Sequence, residues 1–295
     1  MKKIFFCFTL MQLAITLAFC QDMDKIRKDF EDRTNGKGGI PYGNNPAAGK
    51  YYDIRGFKMY CEVYGEGAPL LIIHGNGGSI NNFVLQIPYF SKKYKVIIAD
   101  SRAQGKSADA ADSLSYEMMA DDYAALLTTM KIDSAYVIGW SDGGINAVLL
   151  AVRHPEKVKK MAVTGTNLQP DTNAVYKEVW DMVMPSYNQL KQKANLSADE
   201  KKEFKLLRLL VEQPHIPLAD LNKISAPALV MGGDHDVIRV EHTMQIFENI
   251  PKAYLWIFPD SGHSTPVVYA NEFNSKVDIF FSTPYRTITG EGRFF

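Results

Sequence analysis

From about residue 51 onward, short apolar runs alternate with stretches of helical periodicity. Residues 69–73 and 95–99 are almost continuously apolar. A strand covered on only one face would alternate polar and apolar side chains, so these runs fit strands buried on both faces, as at the centre of a parallel sheet. Residues 51–54 and 57–64 mix the two classes, and Arg55-Gly56 between them predicts the turn of an antiparallel edge hairpin. Met119, Tyr123, Leu126, Leu127 and Met130 recur on one helical face after Ser115, a capping residue. Further strands at 135–138, 160–164, 227–231 and 253–258, with a helix at about 143–152, complete a β/α alternation. The pattern predicts an α/β fold with a doubly wound, mostly parallel sheet.

The alternation is interrupted at about residues 166–222. Helix-like segments at 175–184 and 201–210, with Pro185, Pro214 and Pro217 as breaks, predict a small helical cap inserted after the sixth strand. An insertion there lies over the carboxyl ends of the strands, where ligands bind in open α/β sheets, so cap side chains are expected to shape the substrate pocket. Residues 21–50 carry charges and then a Gly, Asn and Pro cluster without sustained periodicity, which predicts a mobile spacer ahead of a domain at 51–295. Residues 1–20 combine Lys2-Lys3 with an apolar stretch ending at Phe19, the pattern of an export signal. The expected location is outside a bacterial cytoplasm, periplasmic or secreted. Leu17-Ala18-Phe19-Cys20 also resembles a lipoprotein box, with Phe19 where a small residue is usual, so a lipid anchor at Cys20 is the alternative.

Composition narrows the partners. In 295 residues, 33 Lys plus Arg balance 33 Asp plus Glu, so no global field favours nucleic acid or an anionic membrane. A small neutral substrate fits better, with membrane contact only through the leader or its anchor. Of three cysteines, Cys7 and Cys20 fall in the leader, leaving Cys61 without a disulfide partner in a mature chain.

The chemistry centres on Gly139-Trp140-Ser141-Asp142-Gly143, between the strand at 135–138 and the following helix. Ser141 thus sits in a sharp strand-to-helix turn, where small flanking residues relieve crowding. A serine hydroxyl is a weak nucleophile until a base takes its proton, and an imidazole base needs a carboxylate to fix its tautomer. His263 is the candidate base; Asp234, Asp236 and Asp260 are candidate acids. Asp234, His235 and Asp236 lack further ligands at metal-site spacing, so no metal and no other cofactor is expected.

The chain order Ser141, Asp236, His263 resembles the α/β-hydrolase superfamily, serine hydrolase branch, over about residues 51–281. The resemblance selects Asp236, at the end of Gly233-Asp234-His235-Asp236, over Asp234 and Asp260. It makes His74-Gly75-Asn76-Gly77-Gly78 the oxyanion loop, with Asn76 as first donor and the backbone N–H of Asp142 as second. Asp100 to Ser107 looks like the family's D-x-R-G-x-G-x-S loop, in which Asp100 and Arg102 are structural. Ala103 replaces its first glycine, implying a backbone position without glycine-only conformations. His154, His215, His235 and His242 are expected in ordinary surface or core roles. Residues 139–145 are similar to biphenyl hydrolase-like amino-acid ester hydrolases, where the acidic residue at Asp142 pairs with a substrate α-amino group; Trp140 and Gly77 are further substrate-binding candidates. A serine nucleophile implies acyl transfer to water, and cleavage of a small carboxylic ester through an acyl-enzyme is the expected reaction. An aminopeptidase or amino-acid ester hydrolase is the alternative, followed by a catalytically silent ligand-binding homologue.

Overall fold

Strand β3 (Ala68–Ile73) shows why the central runs are apolar throughout. Leu71 and Ile73 project into one core, and Leu70 and Ile72 into a second on the opposite face. In the computed structural model, which describes residues 23–37 and 39–294, eight strands form one sheet in the order β1-β2-β4-β3-β5-β6-β7-β8. The others are β1 (Gly49–Ile54), β2 (Phe57–Tyr64), β4 (Tyr94–Ala99), β5 (Ala135–Trp140), β6 (Val158–Thr164), β7 (Ala228–Gly233) and β8 (Ala253–Phe258). The first two pairings, β1 with β2 and β2 with β4, are antiparallel; all others are parallel. The β1–β2 turn is Arg55-Gly56, both at positive φ (41° and 89°), the mirror-image turn that suits strand twist.

One face of the sheet packs against α2 (Tyr116–Thr129) and α3 (Asp142–Arg153), and the other against Ile80, Phe83, Phe90 and the late helix at Ala270–Ser282. Ser115 caps α2 by accepting the Met118 N–H at 3.1 Å.

The cap follows the sixth strand, with helices α4 (Lys177–Gln192) and α5 (Ala198–Glu212). A Ser197/Glu200 capping box starts α5. The segment ahead of α4 pairs with the chain just after β7: Tyr176 N–H donates to Val237 O and Arg239 N–H to Ala174 O. Pro185, expected as a break, lies inside α4. The residue is solvent-exposed, as is Asp181 one turn earlier, so the carbonyl that the missing N–H leaves free lies on the helix face open to water.

Two other expectations differ from the structure. Residues 23–34 form helix α1 (Met23–Thr34) rather than irregular spacer; Met23, Ile26 and Phe30 share one of its faces, but this stripe is short, set among charged residues and none of it is fully buried. Downstream, the Gly43 and Asn45 N–H groups donate to the buried Glu62 carboxylate of β2, whose oxygens also accept from the hydroxyls of Tyr60 and Tyr64. That clamp docks the segment on the sheet. Ala103 does take a glycine-like conformation, with φ of 62°. A non-glycine residue there costs about 1–2 kcal/mol, and the surrounding loop holds it: Arg102 donates twice to the buried Asp122, while Asp100 accepts from the Ile80 and Lys106 N–H groups. The leader lies outside the described residues.

Candidate active site

Ser141 lies between β5 and α3 with φ 58° and ψ −124°. This strained backbone projects the hydroxyl from the turn. The flanking glycines are a matter of space: a Cβ on Gly139 would run into the Gly143 carbonyl, and one on Gly143 into the carbonyl oxygens of Ile73 and His74. The Ser141 N–H is held by Thr164 O at 2.9 Å.

Three residues far apart in sequence meet here. His263 Nε2 is 2.9 Å from Ser141 Oγ, and His263 Nδ1 is 2.6 Å from Asp236 Oδ1. With Nδ1–H donating to the carboxylate, Nε2 is left to accept the serine proton. Asp236, with a side chain 1% exposed, also accepts the Ile238 N–H at 3.2 Å. The rival acids have other work. Asp234 accepts the Asp260 and Ser261 N–H groups, which hold its carboxyl below the usual range and fix the loop leading to His263. Asp260 contributes a carbonyl to the Tyr269 hydroxyl.

A position that sequence reasoning missed makes the meeting possible. Gly165, just after β6 at φ 61°, faces the imidazole: a Cβ there would sit 2.7 Å from His263 Cε1 and 3.4 Å from Asp236 Oδ2. A lone glycine at the carboxyl end of a predicted strand was its only signal.

The loop after β3 lies against the nucleophile, with a Cβ on Gly75 falling 3.1 Å from that of Ser141. Buried His74 braces this loop from below. Its Nε2 accepts the Ser101 N–H at 2.9 Å, so Nδ1 carries the proton and donates to Gly75 O; burial lowers its pKa and keeps it neutral. Gln104 Oε1 takes the Gly77 N–H at 2.7 Å. The backbone N–H groups of Asn76 and Asp142 donate to no protein acceptor among the described residues, so both remain available to a ligand oxygen. The Asn76 side chain is committed elsewhere, to Asp142 Oδ2 at 2.9 Å and to Leu206 O of α5 at 3.3 Å, tying the cap to this loop.

Asp142 is 2% exposed. Burial pushes its pKa up to about 6, opposed by Asn76 and by the hydroxyl of Tyr116, which is itself buried against this carboxylate. Trp140 lies beside the site, its Nε1–H donating to His263 O at 2.8 Å. A cavity of about 490 Å³ opens over Ser141, within the small-molecule range. Gly77 lies on its wall, and Val175, Val179, Leu210, Val237 and Ile238 supply its aliphatic part.

The other histidines are structural or peripheral. His242 Nε2 accepts the Leu168 N–H, His154 contacts Asp121, His215 contacts Gln169, and His235 is exposed. Among the described residues, no group of three or more His, Cys, Asp or Glu side chains converges to hold a metal.

Residues 68–204 match the family model for the alpha/beta hydrolase fold. A 2-hydroxymuconate semialdehyde hydrolase from Pseudomonas sp. (strain CF600) is 26% identical over 81% of this chain and 95% of its own. The chain belongs to the α/β-hydrolase superfamily. This α/β hydrolase is also 24% identical to human serine hydrolase BPHL, over 77% of the chain and 84% of that protein. Among solved structures, the enol-lactonase from Burkholderia xenovorans LB400 superposes with a TM-score of 0.68 at 21% identity, covering 79% of this chain and all of that one, a likeness of fold. The chain is an enzyme of the α/β-hydrolase type.

Proposed function

We propose that this α/β hydrolase is a serine hydrolase that cleaves a small-molecule carboxylic ester through an acyl-enzyme. The reading rests on one observation: the contact series Ser141 Oγ, His263 imidazole, Asp236 carboxylate, at 2.9 and 2.6 Å, at the floor of a small-molecule cavity.

Ser141 Oγ attacks the ester carbonyl carbon while His263 Nε2 takes its proton, and Asp236 stabilises the resulting imidazolium. The carbonyl π electrons move to oxygen, where the N–H groups of Asn76 and Asp142 donate to the new oxyanion. On collapse, the C–O bond to the alcohol breaks and His263 returns the proton to the leaving oxygen. A water molecule, deprotonated by the same imidazole, then releases the acid and regenerates Ser141. No cofactor enters this cycle.

A fluorophosphonate should label Ser141, and Ser141→Ala should lose labelling and lower kcat on p-nitrophenyl esters by about 10⁴-fold or more. Retention of ester turnover by the folded variant would end this assignment and favour a different nucleophile; absence of labelling and turnover in the wild type would favour a silent binding protein.

A second reading is supported by Asp142, a cavity-lining carboxylate that forms no ion pair among the described residues. An α-amino group on the substrate would supply the missing cation, giving an amino-acid ester hydrolase or aminopeptidase. Its test is kcat/KM for α-amino esters and amides against matched substrates without the amine. For location, export with removal of residues 1–20 is proposed from the leader pattern, with lipidation at Cys20 as the alternative; mass spectrometry of the mature amino terminus decides between them.

A further inference from the structure

Charge around the cleft is one-sided. Among the described residues lining the cavity over Ser141 there is no lysine or arginine, and the single basic side chain, His263, is engaged by Ser141 and Asp236. The cap has cations, but they point elsewhere. On α5, Lys201, Lys202, Lys205 and Arg208 line a separate cavity of about 500 Å³ against the loop at residues 103–112, while Leu210 of the same helix faces the nucleophile. The cleft therefore offers aliphatic carbon, the neutral amides of Asn82 and Asn167, and the buried carboxylate of Asp142.

A ligand carboxylate entering this space would lose water, meet no cation and share a poorly solvated volume with a like charge. An uncharged acyl chain of the same length would instead gain from burial against Val175, Val179, Leu210, Val237 and Ile238. We propose that this cleft selects esters with a neutral acyl chain and rejects those bearing a carboxylate, the determinants being Asp142 and the cation-free cap wall. This specificity rests on the assignment of Ser141 as nucleophile.

The test compares p-nitrophenyl hexanoate with mono-p-nitrophenyl adipate, which replaces the terminal methyl by a carboxylate, each rate divided by that ester's alkaline hydrolysis rate. The full mature protein should favour hexanoate in kcat/KM by at least about thirtyfold. Val179→Lys, which adds a cation to the cap wall, should shrink that ratio about tenfold through a lower KM for adipate. Asp142→Asn should shrink it too, by removing the like charge. Adipate within threefold of hexanoate, or an unchanged ratio in folded Val179→Lys that still reacts with fluorophosphonate, would overturn the proposal while leaving the serine mechanism standing. If neither ester is cleaved and fluorophosphonate fails to label Ser141, the mechanism itself falls and the specificity with it.

Discussion

The indole of Trp140 donates to the main-chain carbonyl of His263 at 2.8 Å, so the residue before the proposed nucleophile also ties down the segment bearing the proposed base. Its ring packs edge-on to Phe83, with centroids 6.1 Å apart. The strand end and the loop after β8 are thereby fixed to one another. Trp140 is best understood as a positioning residue that also lines the cavity.

Trp140→Phe keeps most of the apolar contact and removes the donor. One hydrogen bond of about 1.4 kcal/mol corresponds to about tenfold in kcat. The expected result is that loss with KM changed less than twofold, together with a displaced acidic limb in the kcat/KM pH profile. An unaltered profile with only a raised KM would show that Trp140 serves substrate binding alone.

Gly165→Ala puts a methyl group where the imidazole sits, at a position with φ 61°. Displacing His263 by even about 1 Å is expected to lower kcat/KM by about 100-fold. Fluorophosphonate labelling should slow in parallel, because it uses the same activated hydroxyl. Full activity in Gly165→Ala would mean that the loop carrying His263 yields easily.

Asp142 makes stability pH-dependent in a definite direction. Its pKa is raised by burial from 3.8 to about 6, so the folded state binds the proton more tightly than the unfolded chain. The associated stability is fully present below about pH 4 and is lost as pH rises through about 6, a difference on the order of 2–3 kcal/mol. Asp142→Asn should therefore melt higher than wild type at pH 8, with the advantage shrinking towards pH 4. Thermal unfolding across that range is the measurement, and a constant offset would contradict the assignment.

Arg102→Met should destabilise the fold without touching the cleft. The guanidinium grips Asp122 at 2.7 and 2.8 Å with both side chains nearly inaccessible, and it stacks 3.9 Å over the Phe57 ring. Removing it strands a buried carboxylate, which costs about 3–5 kcal/mol. The low end is expected, because Arg55 Nε also reaches Asp122 at 3.1 Å. Urea denaturation reads the loss, and a change below about 1 kcal/mol would mean that Arg55 compensates fully.

Much of this arrangement was legible along the chain because its causes are local. Runs such as Leu70 to Ile73 announce strands buried on both faces, and Ser115 announces a helix start. The small residues around Ser141 mark a turn whose crowding is set within a few residues. What failed was also local in appearance but decided at a distance. Helix α1 is marked only by Met23, Ile26 and Phe30 among charged residues, too short a period to stand out, and Pro185 sits where solvent can replace the lost hydrogen bond. Ala103 reads as ordinary backbone until the Arg102–Asp122 and Asp100 contacts hold it in a glycine-like conformation.

The amino-acid order by itself determined the strand and helix succession, the elbow at Ser141 and a short set of acids and bases, because periodicity and turn chemistry depend on neighbours along the chain. Only the tertiary structure brought the Asp236 carboxylate within 2.6 Å of His263, left room for the imidazole at Gly165, joined Trp140 to the histidine backbone and turned the cap's cations away from the cleft. Those relations span tens to more than a hundred residues, and they exist only where packing of the sheet brings the strand ends and the cap together.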